Sequence, residues 1–339
     1  MTIKKLTAIA VAGGVLLAGA IGISMRLTSQ NEIELEVPEA AVQGTENEDG
    51  SKTLGNMENI PLYYDETKKL LLPLRNVMEG LGGSVTWNKE TRMTEVSYRG
   101  RTLTLQAGEK QAELNGYGVT LPEAAEIING CLYADEKLIS AYYTGEVDFN
   151  IETRQVTLQT KDNSVPVVAV KEISGTQEGK AYTIEVPVLI GLNDSKYEAS
   201  LNDKNLQKMQ AYADAFLAEE GTEEEISLHL RLRAEFCTKD FVSLWWEGRK
   251  AGEDVKLAEN IDLLSQKTVT LADMLKEASL EKVKLAAGEG WTEDRFYLTA
   301  EGGLVLLKGS NEKSLNLHYW TTEGEQPEWK DSYRELLQK

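Results

Sequence analysis

The segment from Leu6 to Met25 constrains this chain more than any other stretch, because it runs for 20 residues without a charge. A helix of that length spans roughly 30 Å, the thickness of the hydrocarbon core of a bilayer. Lys4 and Lys5 precede the segment and Arg26 follows it. Positive charge therefore lies mainly on the short N-terminal side. This predicts a cytoplasmic N-terminus and an extracytoplasmic location for the rest of the chain.

Two other interpretations of this segment stay open. A cleaved signal peptide has the same lysine-rich start and apolar middle, and Ala18-Gly19-Ala20 resembles a small-residue cleavage site. That tripeptide lies inside the apolar run, however, and the run is longer than the usual core of a signal peptide. The third interpretation is a buried helix of a soluble domain. The first two both predict an exported protein, either held in the cell membrane by a single pass or secreted after cleavage.

The charge of the chain after Arg26 disfavours two classes of partner. All 55 acidic residues follow Arg26 but three of the 36 basic residues do not, which leaves a formal charge of about −22. Such a surface repels nucleic acid and anionic lipid headgroups. It is typical of a soluble protein, and it also suits divalent cations or a lysozyme-like basic protein as partners.

Residues with reactive side chains are few. The cysteines are Cys131 and Cys237, in different predicted domains, so burial must hold the fold in place of a disulfide framework, and their redox state stays open. The histidines are His229 and His318, too few with two scattered cysteines for a zinc site. The sequence has no nucleophile elbow, phosphate-binding loop or calcium-binding loop. We therefore expect no catalytic residue, no metal site and no cofactor.

An acidic stretch and then an internal repeat follow the apolar segment. Residues 27–59 are rich in Glu and Asp and contain no aromatic residue, which predicts a flexible linker. Residues 60–160 repeat at an offset of 62, so that Val85-Thr86-Trp87-Asn88-Lys89-Glu90-Thr91-Arg92 recurs as Val147-Asp148-Phe149-Asn150-Ile151-Glu152-Thr153-Arg154. Each copy predicts a helix, a glycine break, a strand, a polar turn and a second strand. The apolar helix faces are Val77, Met78 and Leu81 in the first copy and Leu138, Ile139 and Tyr142 in the second.

Four motifs of this region point to a known family. They are Leu72-Pro73-Leu74-Arg75, Leu81-Gly82, Val85-Thr86-Trp87-Asn88 and the Asn115-Gly116 turn. They resemble the copper amine oxidase N-terminal-like domain, the stalk module of many Firmicutes surface proteins. The second copy departs from the pattern, since Asp135 and Lys137 replace Pro73 and Arg75. Residues 60–160 contain no histidine, so the family name implies no copper chemistry here.

Residues 165–339 predict a second domain. Residues 182–190 form a strand in which Pro187 marks an edge or a bend, and Asp203 begins a helix. Residues 226–236 alternate apolar with polar and return through 241–247, which predicts a long antiparallel hairpin with one wet face. Further strands are predicted at 256–263, 296–299, 304–307 and 315–320, and helices from Thr270 and from about Lys330. The whole chain is thus predicted as α+β: a transmembrane helix, a two-copy α+β repeat domain and an α+β domain built on the hairpin.

Segments of the second domain resemble another family. The segments are 182–187 with Gly191-Leu192, Phe241-Val242-Ser243-Leu244, 268–275 and Phe296-Tyr297-Leu298-Thr299 before Gly302-Gly303-Leu304. They are similar to the extracytoplasmic domain of RsiV-type anti-sigma factors and some polysaccharide deacetylases. The resemblance implies an exported binding and sensing module, which in the anti-sigma members recognises lysozyme. Residues 308–313 replace the aromatic and Gly-rich ending of the family after Leu307. The five residues before the apolar segment are too few for a sigma-binding domain.

The most suggestive residues for ligand binding are Trp245-Trp246. Neighbours on a strand point to opposite faces, and Trp246 shares its parity with the core residues of the hairpin. Trp245 then shares a face with Arg231, Arg233 and His229. An exposed indole beside arginines suits a sugar or a protein partner. The alternative is that Trp245 packs under a helix.

These observations favour a non-catalytic binding or sensing protein of the bacterial cell envelope, anchored in the membrane. Its ligand would be a peptidoglycan fragment or a lysozyme-like protein, bound through Trp245, Arg231, Arg233 and His229. One alternative is a cell-wall hydrolase or deacetylase, although no pair of carboxylates stands out. Another is a purely structural stalk.

Overall fold

The computed structural model describes residues 24–27, 33–36, 45–49, 51–54, 60–64, 66–143, 147–159, 165–219, 226–300, 302–308, 311–315 and 328–333. The chain divides into two compact units. The first comprises Met1–Gly116 and Thr120–Lys161, and the second comprises Tyr117–Val119 and Asp162–Lys339.

Strands are the main elements of the chain, with a few helices between them; the longest strands, β16 to β20, have 10 to 12 residues. In chain order the elements are β1 (Ser24–Leu27), β2 (Ile33–Glu36), β3 (Thr45–Glu46), β4 (Lys52–Leu54), β5 (Leu62–Tyr64), β6 (Lys69–Pro73), α1 (Leu74–Leu81), β7 (Ser84–Trp87), β8 (Met93–Tyr98), β9 (Arg101–Gln106), β10 (Gln111–Leu114), β11 (Tyr117–Thr120), β12 (Glu126–Ile128), β13 (Cys131–Asp135), α2 (Glu136–Tyr142), β14 (Val147–Phe149), β15 (Val156–Leu158), β16 (Val167–Gln177), β17 (Lys180–Ile190), α3 (Ser195–Ala218), β18 (Ile226–Cys237), β19 (Phe241–Lys250), β20 (Glu253–Asp262), β21 (Lys267–Thr268), α4 (Leu271–Met274), α5 (Glu277–Ala287), β22 (Phe296–Leu298), β23 (Leu304–Lys308) and β24 (Asn311–Leu315).

The predicted repeat organises the first unit. Strands β6 and β13 pair antiparallel, and Leu72 faces Ala134, its own counterpart at the offset of 62. An antiparallel pair centred on equivalent residues has a local two-fold axis, so that axis relates the two strands. The four-stranded sheet runs β12-β13-β6-β5, a second one runs β14-β15-β4-β3, and β7 to β10 form a meander.

The two helices of the repeat bury the faces that the sequence predicts. Val77, Met78 and Leu81 of α1 and Leu138, Ile139 and Tyr142 of α2 are all buried. Helix α1 ends at Gly82, whose φ of 90° lies in the left-handed region that glycine adopts without strain. Pro73 makes no side-chain cap for α1, whereas Oδ1 of Asp135 accepts from Lys137 N at 3.0 Å at the start of α2.

The polar turns of the two copies share one geometry. Oδ1 of Asn88 accepts from the backbone N of Glu90 and Thr91, at 2.9 and 3.2 Å. Oδ1 of Asn150 accepts from the N of Glu152 and Thr153, both at 3.0 Å. The Arg residues that close the turns, Arg92 and Arg154, have φ of 58° and 56°. The repeated sequence therefore repeats the turn.

The second unit is built on a large sheet in the order β21-β20-β19-β18-β17-β16. Strands β17 and β18 pair in parallel from Lys180 to Ile184, and the other neighbours are antiparallel. Pro187 lies beyond the parallel pairing, on a part of β17 that pairs with β16 alone, so its missing N–H leaves no ladder bond broken there. Gly118 of β11 pairs with Val170 of β16.

Helix α3 covers one face of this sheet, referred to below as the inner face. Its buried residues include Met209, Ala213 and Phe216, and they pack with Leu230 and Trp246 of the hairpin. The predicted start at Asp203 is wrong. The helix begins at Ser195, because Oδ1 of Asp194 accepts from the backbone N of Lys196 and Tyr197.

A smaller layer covers half of the opposite, outer face. It contains the sheet β22-β23-β24 and the helices α4 and α5. Six consecutive residues of β19, from Phe241 to Trp246, are therefore buried, and the predicted hairpin with one wet face is wrong for this half. The register shifts between Arg233 and Phe236, and Phe236 joins the core beneath the covering layer.

The predicted α+β fold class is also wrong, since strands make up 47% of the structure and helices 23%. None of the described helices is long and apolar enough to cross a membrane. Residues 6–23 of the predicted transmembrane helix lie outside the described residues, and Ser24 and Met25 belong to β1, which pairs with β2.

The structure differs from two further predictions. Within the predicted linker 27–59, strand β4 pairs with β15 and buries Leu54. The last strand of the covering sheet is β24, at Asn311–Leu315, whereas the sequence predicts the last strand at 315–320. Most of the predicted strand 315–320 lies outside the described residues, and so does most of the helix predicted from Lys330, of which residues 331–333 are helical.

Candidate functional site

The uncovered half of the outer face carries three of the four predicted ligand-binding residues. His229, Arg231 and Arg233 alternate with buried leucines along β18 and are all exposed. Across the ladder, His229 faces Arg249, Arg231 faces Glu247 and Arg233 faces Trp245. We call the set His229, Arg231, Arg233, Glu247 and Arg249 the charged strip.

Two members of the charged strip form an ion pair. Arg233 donates from Nε and Nη2 to Oε1 of Glu247, at 3.0 and 2.7 Å. The side chains are 46% and 38% exposed, so the pair is worth about 1 kcal/mol or less and orients Arg233 without locking the strip. Arg249 pairs with Asp254 at 3.3 Å.

Arg231 and His229 differ from these neighbours. Neither side chain makes an ion pair or hydrogen bond with a side chain among the described residues. A guanidinium presents donors in a planar fork that matches a carboxylate or phosphate. The strip can therefore bind an anionic group, with Arg231 as the available donor.

Trp245 lies under the covering layer and is only 7% exposed. Its ring stacks on Tyr297, with centroids 4.4 Å apart and planes 10° apart, and Val305 and Leu307 complete the cluster. Lys256 Nζ lies 5.7 Å from the indole centroid. The covering element is a sheet, where the sequence offered a helix. Arg231, Arg233 and His229 lie on the open half, and the part of Trp245 in ligand binding stays a prediction.

A buried polar network fixes the edge of the covered half. Ser243 Oγ donates to Asn260 Oδ1 at 2.7 Å and accepts from Leu298 N at 2.9 Å, while Asn260 Nδ2 donates to the carbonyl of Phe296 at 2.7 Å. Ser243 and Asn260 are 0% and 1% exposed. Breaking these buried hydrogen bonds would leave polar groups unpaired and raise the free energy, so the bonds hold β22 on the sheet.

A second set of contacts holds the strip to the inner core. Glu185 accepts twice: its Oε2 from Leu232 N and its carbonyl from Trp246 Nε1, both at 2.8 Å. At Gly248 a Cβ would lie 1.7 Å from the carbonyl oxygen of His229, so only glycine fits between these strands. The backbone that displays His229 is therefore packed closely against β19.

Sequence reasoning did not assign Glu247 and Arg249 to the site. Both share the parity of Trp245 on β19, and that parity is a signal that could have identified them. His318 lies outside the described residues. Among the residues that the structure describes, no group of three or more His, Cys, Asp or Glu side chains could hold a metal ion.

Comparison with known families identifies part of the first unit. Residues 49–158 match the family model of the copper amine oxidase N-terminal domain. The resemblance predicted from the first copy is confirmed. Strand β4 lies inside the matched residues.

Two of the solved structures that match the chain are described as members of another family. One is a member of the DUF3298 family from Bacteroides fragilis, 11% identical, covering 49% of this chain and 95% of that one with a TM-score of 0.35. Another is a DUF3298 family protein from Pseudomonas aeruginosa, 17% identical, covering 44% and 88% with a TM-score of 0.30. No curated protein matches the chain. The resemblance to RsiV-type domains stays a prediction.

Proposed function

We propose that this chain is an exported protein of the bacterial cell envelope that binds and senses a ligand without catalysing a reaction. Segment 6–25 directs export, and it either stays as the membrane attachment or is removed by cleavage. The first unit serves as a stalk, in keeping with its family match, and the second unit carries the recognition surface. The partner is an anionic peptidoglycan fragment.

The charged strip carries this proposal. The chain has a formal charge of −19, yet Arg231, Arg233, Arg249 and His229 are gathered on one open half of a sheet. An excess of acidic residues favours ion pairs with exposed arginines. Arg233 and Arg249 form such pairs, but Arg231 forms none with a described side chain. An available guanidinium on a hydrogen-bonded strand suits the carboxylates of a peptidoglycan stem peptide.

The binding experiment uses the full chain, purified in a mild detergent, and isothermal titration calorimetry with soluble muropeptides. Arg231→Gln should weaken binding by about tenfold or more, because the charge-assisted hydrogen bonds are lost. The matched control is Lys204→Gln, an exposed position of α3 on the inner side of the sheet. Equal affinities for Arg231→Gln and the unmodified chain would overturn the assignment of the strip.

A lysozyme-like basic protein is the second candidate partner, and the charge of −19 favours it. Titration of lysozyme into the same chain tests this candidate. If lysozyme binds Arg231→Gln as well as the unmodified chain, and its affinity falls steeply with salt, lysozyme and not the muropeptide is the partner. Release of sugars or acetate from peptidoglycan by the purified chain would contradict the non-catalytic assignment.

Export has its own test. Protease added to intact cells should digest the second unit, provided that the wall is permeable to that protease. Complete protection in intact cells, together with digestion after lysis, would refute the extracytoplasmic location.

A further inference from the structure

The first unit contains an open groove that neither the family match nor the sequence assigns to a ligand. Its volume is about 300 Å³, at the lower end of the range for ligand pockets. The groove lies between two sheet-edge strands, β5 and β14. It is lined by Pro61, Leu62, Tyr63, Tyr64, Phe149, Ile151 and Arg154.

Aromatic and aliphatic side chains of the groove face solvent. Tyr64 is 47% exposed and Ile151 is 60% exposed. Tyr63 and Phe149 join the two walls, with ring centroids 6.1 Å apart and planes tilted by 37°. Tyr63 and Phe149 are partly buried, so one exposed and two partly exposed rings line the same concave surface. Contiguous exposed apolar surface of this kind is typical of a ligand-binding groove, whereas single exposed apolar residues are not.

The polar turn of the second copy holds the far wall in place. Asn150 N donates to the carbonyl of Gln155 at 3.0 Å, and Asn150 Oδ1 accepts from the backbone N of Glu152 and Thr153. Ile151 and Arg154 are thus displayed from a turn whose backbone is hydrogen-bonded at both ends. This wall is formed before a ligand binds, so little conformational entropy of the turn is lost on binding.

Arg154 gives the groove its charge preference. It is exposed and makes no ion pair with any side chain in the described part of the chain. Glu152 of the same turn is not among the lining residues. Lys68 adds a second cation, with Nζ 6.0 Å from the centroid of Tyr63. A groove with a basic mouth on a chain of charge −19 complements an anionic ligand.

The edges of the groove are poor templates for an extended peptide. Strands β5 and β14 have only three residues each. Pro61 precedes β5 and has no N–H to donate. Short edge strands and proline are the means by which proteins block strand addition. Flat rings with little available backbone favour a ligand that stacks, such as a sugar.

We propose that this groove is a binding site for an acidic glycan. The apolar face of a sugar ring packs on Tyr64 and Tyr63, with Ile151 on the opposite wall, and a sugar carboxylate pairs with the guanidinium of Arg154. The site uses the first unit alone and does not depend on the charged strip of the second. The stalk therefore binds wall polysaccharide through its own side chains.

The test uses the full chain in mild detergent with three probes: a galacturonate hexamer, the neutral cellohexaose and a poly-glutamate peptide. Calorimetry should show the galacturonate hexamer binding tightest. Tyr64→Ala should weaken it about tenfold or more, as loss of one stacking ring does. Arg154→Gln should reduce the preference for the acidic over the neutral hexamer to about twofold or less.

The first copy of the repeat supplies matched controls. Trp87→Ala and Arg92→Gln remove the counterparts of Phe149 and Arg154 from a turn of the same geometry, and glycan affinity should stay unchanged. Circular dichroism confirms that each variant is folded. Tighter binding of poly-glutamate than of galacturonate, unchanged affinity in Tyr64→Ala, or equal loss in Arg92→Gln and Arg154→Gln would each overturn the proposal. Loss of muropeptide binding in Arg231→Gln leaves this site untouched, so the two proposals fail separately.

Discussion

The two copies of the repeat build the same turn but different surfaces. Trp87 and Phe149 precede the turn in the first and second copies, and Trp87 is 53% exposed whereas Phe149 meets Tyr63 across the groove. Lys89 of the first turn is replaced by Ile151 in the second. The local hydrogen bonds come from the repeated Asn residues, but the groove exists because β5 lies beside the second turn. Local sequence determines a turn, and its neighbours determine what the turn can bind.

The buried half of the repeat shows a second difference. At the local two-fold axis Leu72 faces Ala134, and both are 0% exposed. A large side chain on one strand is thus matched by a small one on its counterpart, as close packing requires. The two strands therefore share one backbone arrangement while their side chains at the axis differ in size.

The largest effect should follow from disturbing that pair. Leu72→Ala should lower the free energy of unfolding of the first unit by about 2–5 kcal/mol, because it leaves a cavity in the core. Ala134→Leu alone should lower it by about 1–3 kcal/mol through overpacking. The double variant exchanges the two residues across the axis, and should be less destabilised than the sum of the single changes. Hydrogen exchange of peptides from the first unit measures all three, and strict additivity would argue against the shared packing.

The start of the two helices gives the next prediction. Asp135→Ala should destabilise the first unit by about 1–2 kcal/mol, because Lys137 N loses its acceptor at a position that is 4% exposed. Pro73→Ala removes no side-chain cap at the equivalent position of α1. Urea denaturation compares the two variants. A larger effect of Pro73→Ala would show that capping does not explain the difference between the copies.

Much of this architecture could be predicted from the sequence, and the failures have physical causes. Apolar spacing located α1 and α2, since their buried faces follow the helical period. It missed the first turns of α3, where Asp194 caps the helix and the apolar residues are few, namely the buried Leu201 and the partly buried Tyr197. The wet-face prediction for the hairpin failed where the covering layer buries β19 from Phe241 to Trp246. A register shift also moves Phe236 into the core beneath that layer, and the alternation of residue types does not show such a shift.

The candidate sites also combine features that the sequence predicts with features that it does not. The exposure of Arg231 and Arg233 follows from strand parity, which sequence shows directly. The burial of Trp245 depends on Tyr297, 52 residues further along the chain, and no periodicity reports such a contact. The groove likewise joins Tyr63 to Phe149, so it could be found only when the strands were placed.

The turns themselves should be equally sensitive in both copies. Asn88→Ala and Asn150→Ala each remove an acceptor for two backbone N–H groups at an exposed site, and should each lower the unfolding free energy by about 0.5–1 kcal/mol. Only Asn150→Ala should also weaken the galacturonate hexamer, because it loosens Ile151 and Arg154. Chemical denaturation and calorimetry give the two readings. A matching loss of glycan affinity in Asn88→Ala would remove the basis for assigning the site to the second copy.

The smallest change in stability is expected where the turns close. Arg92 and Arg154 adopt left-handed φ values of 58° and 56°, which strain a residue with a Cβ by roughly 1–2 kcal/mol. Glycine relieves this strain but loses about 0.5–1 kcal/mol through its greater freedom in the unfolded chain. Arg92→Gly and Arg154→Gly should therefore both stabilise the first unit slightly, by about 1 kcal/mol or less. Arg154→Gly should nevertheless abolish the preference for galacturonate over cellohexaose, whereas Arg92→Gly should preserve it. Arg154→Gly would then raise stability and remove the binding preference, whereas Arg92→Gly would raise stability alone. A preference for galacturonate that survives Arg154→Gly would assign the charge selectivity to another cation such as Lys68.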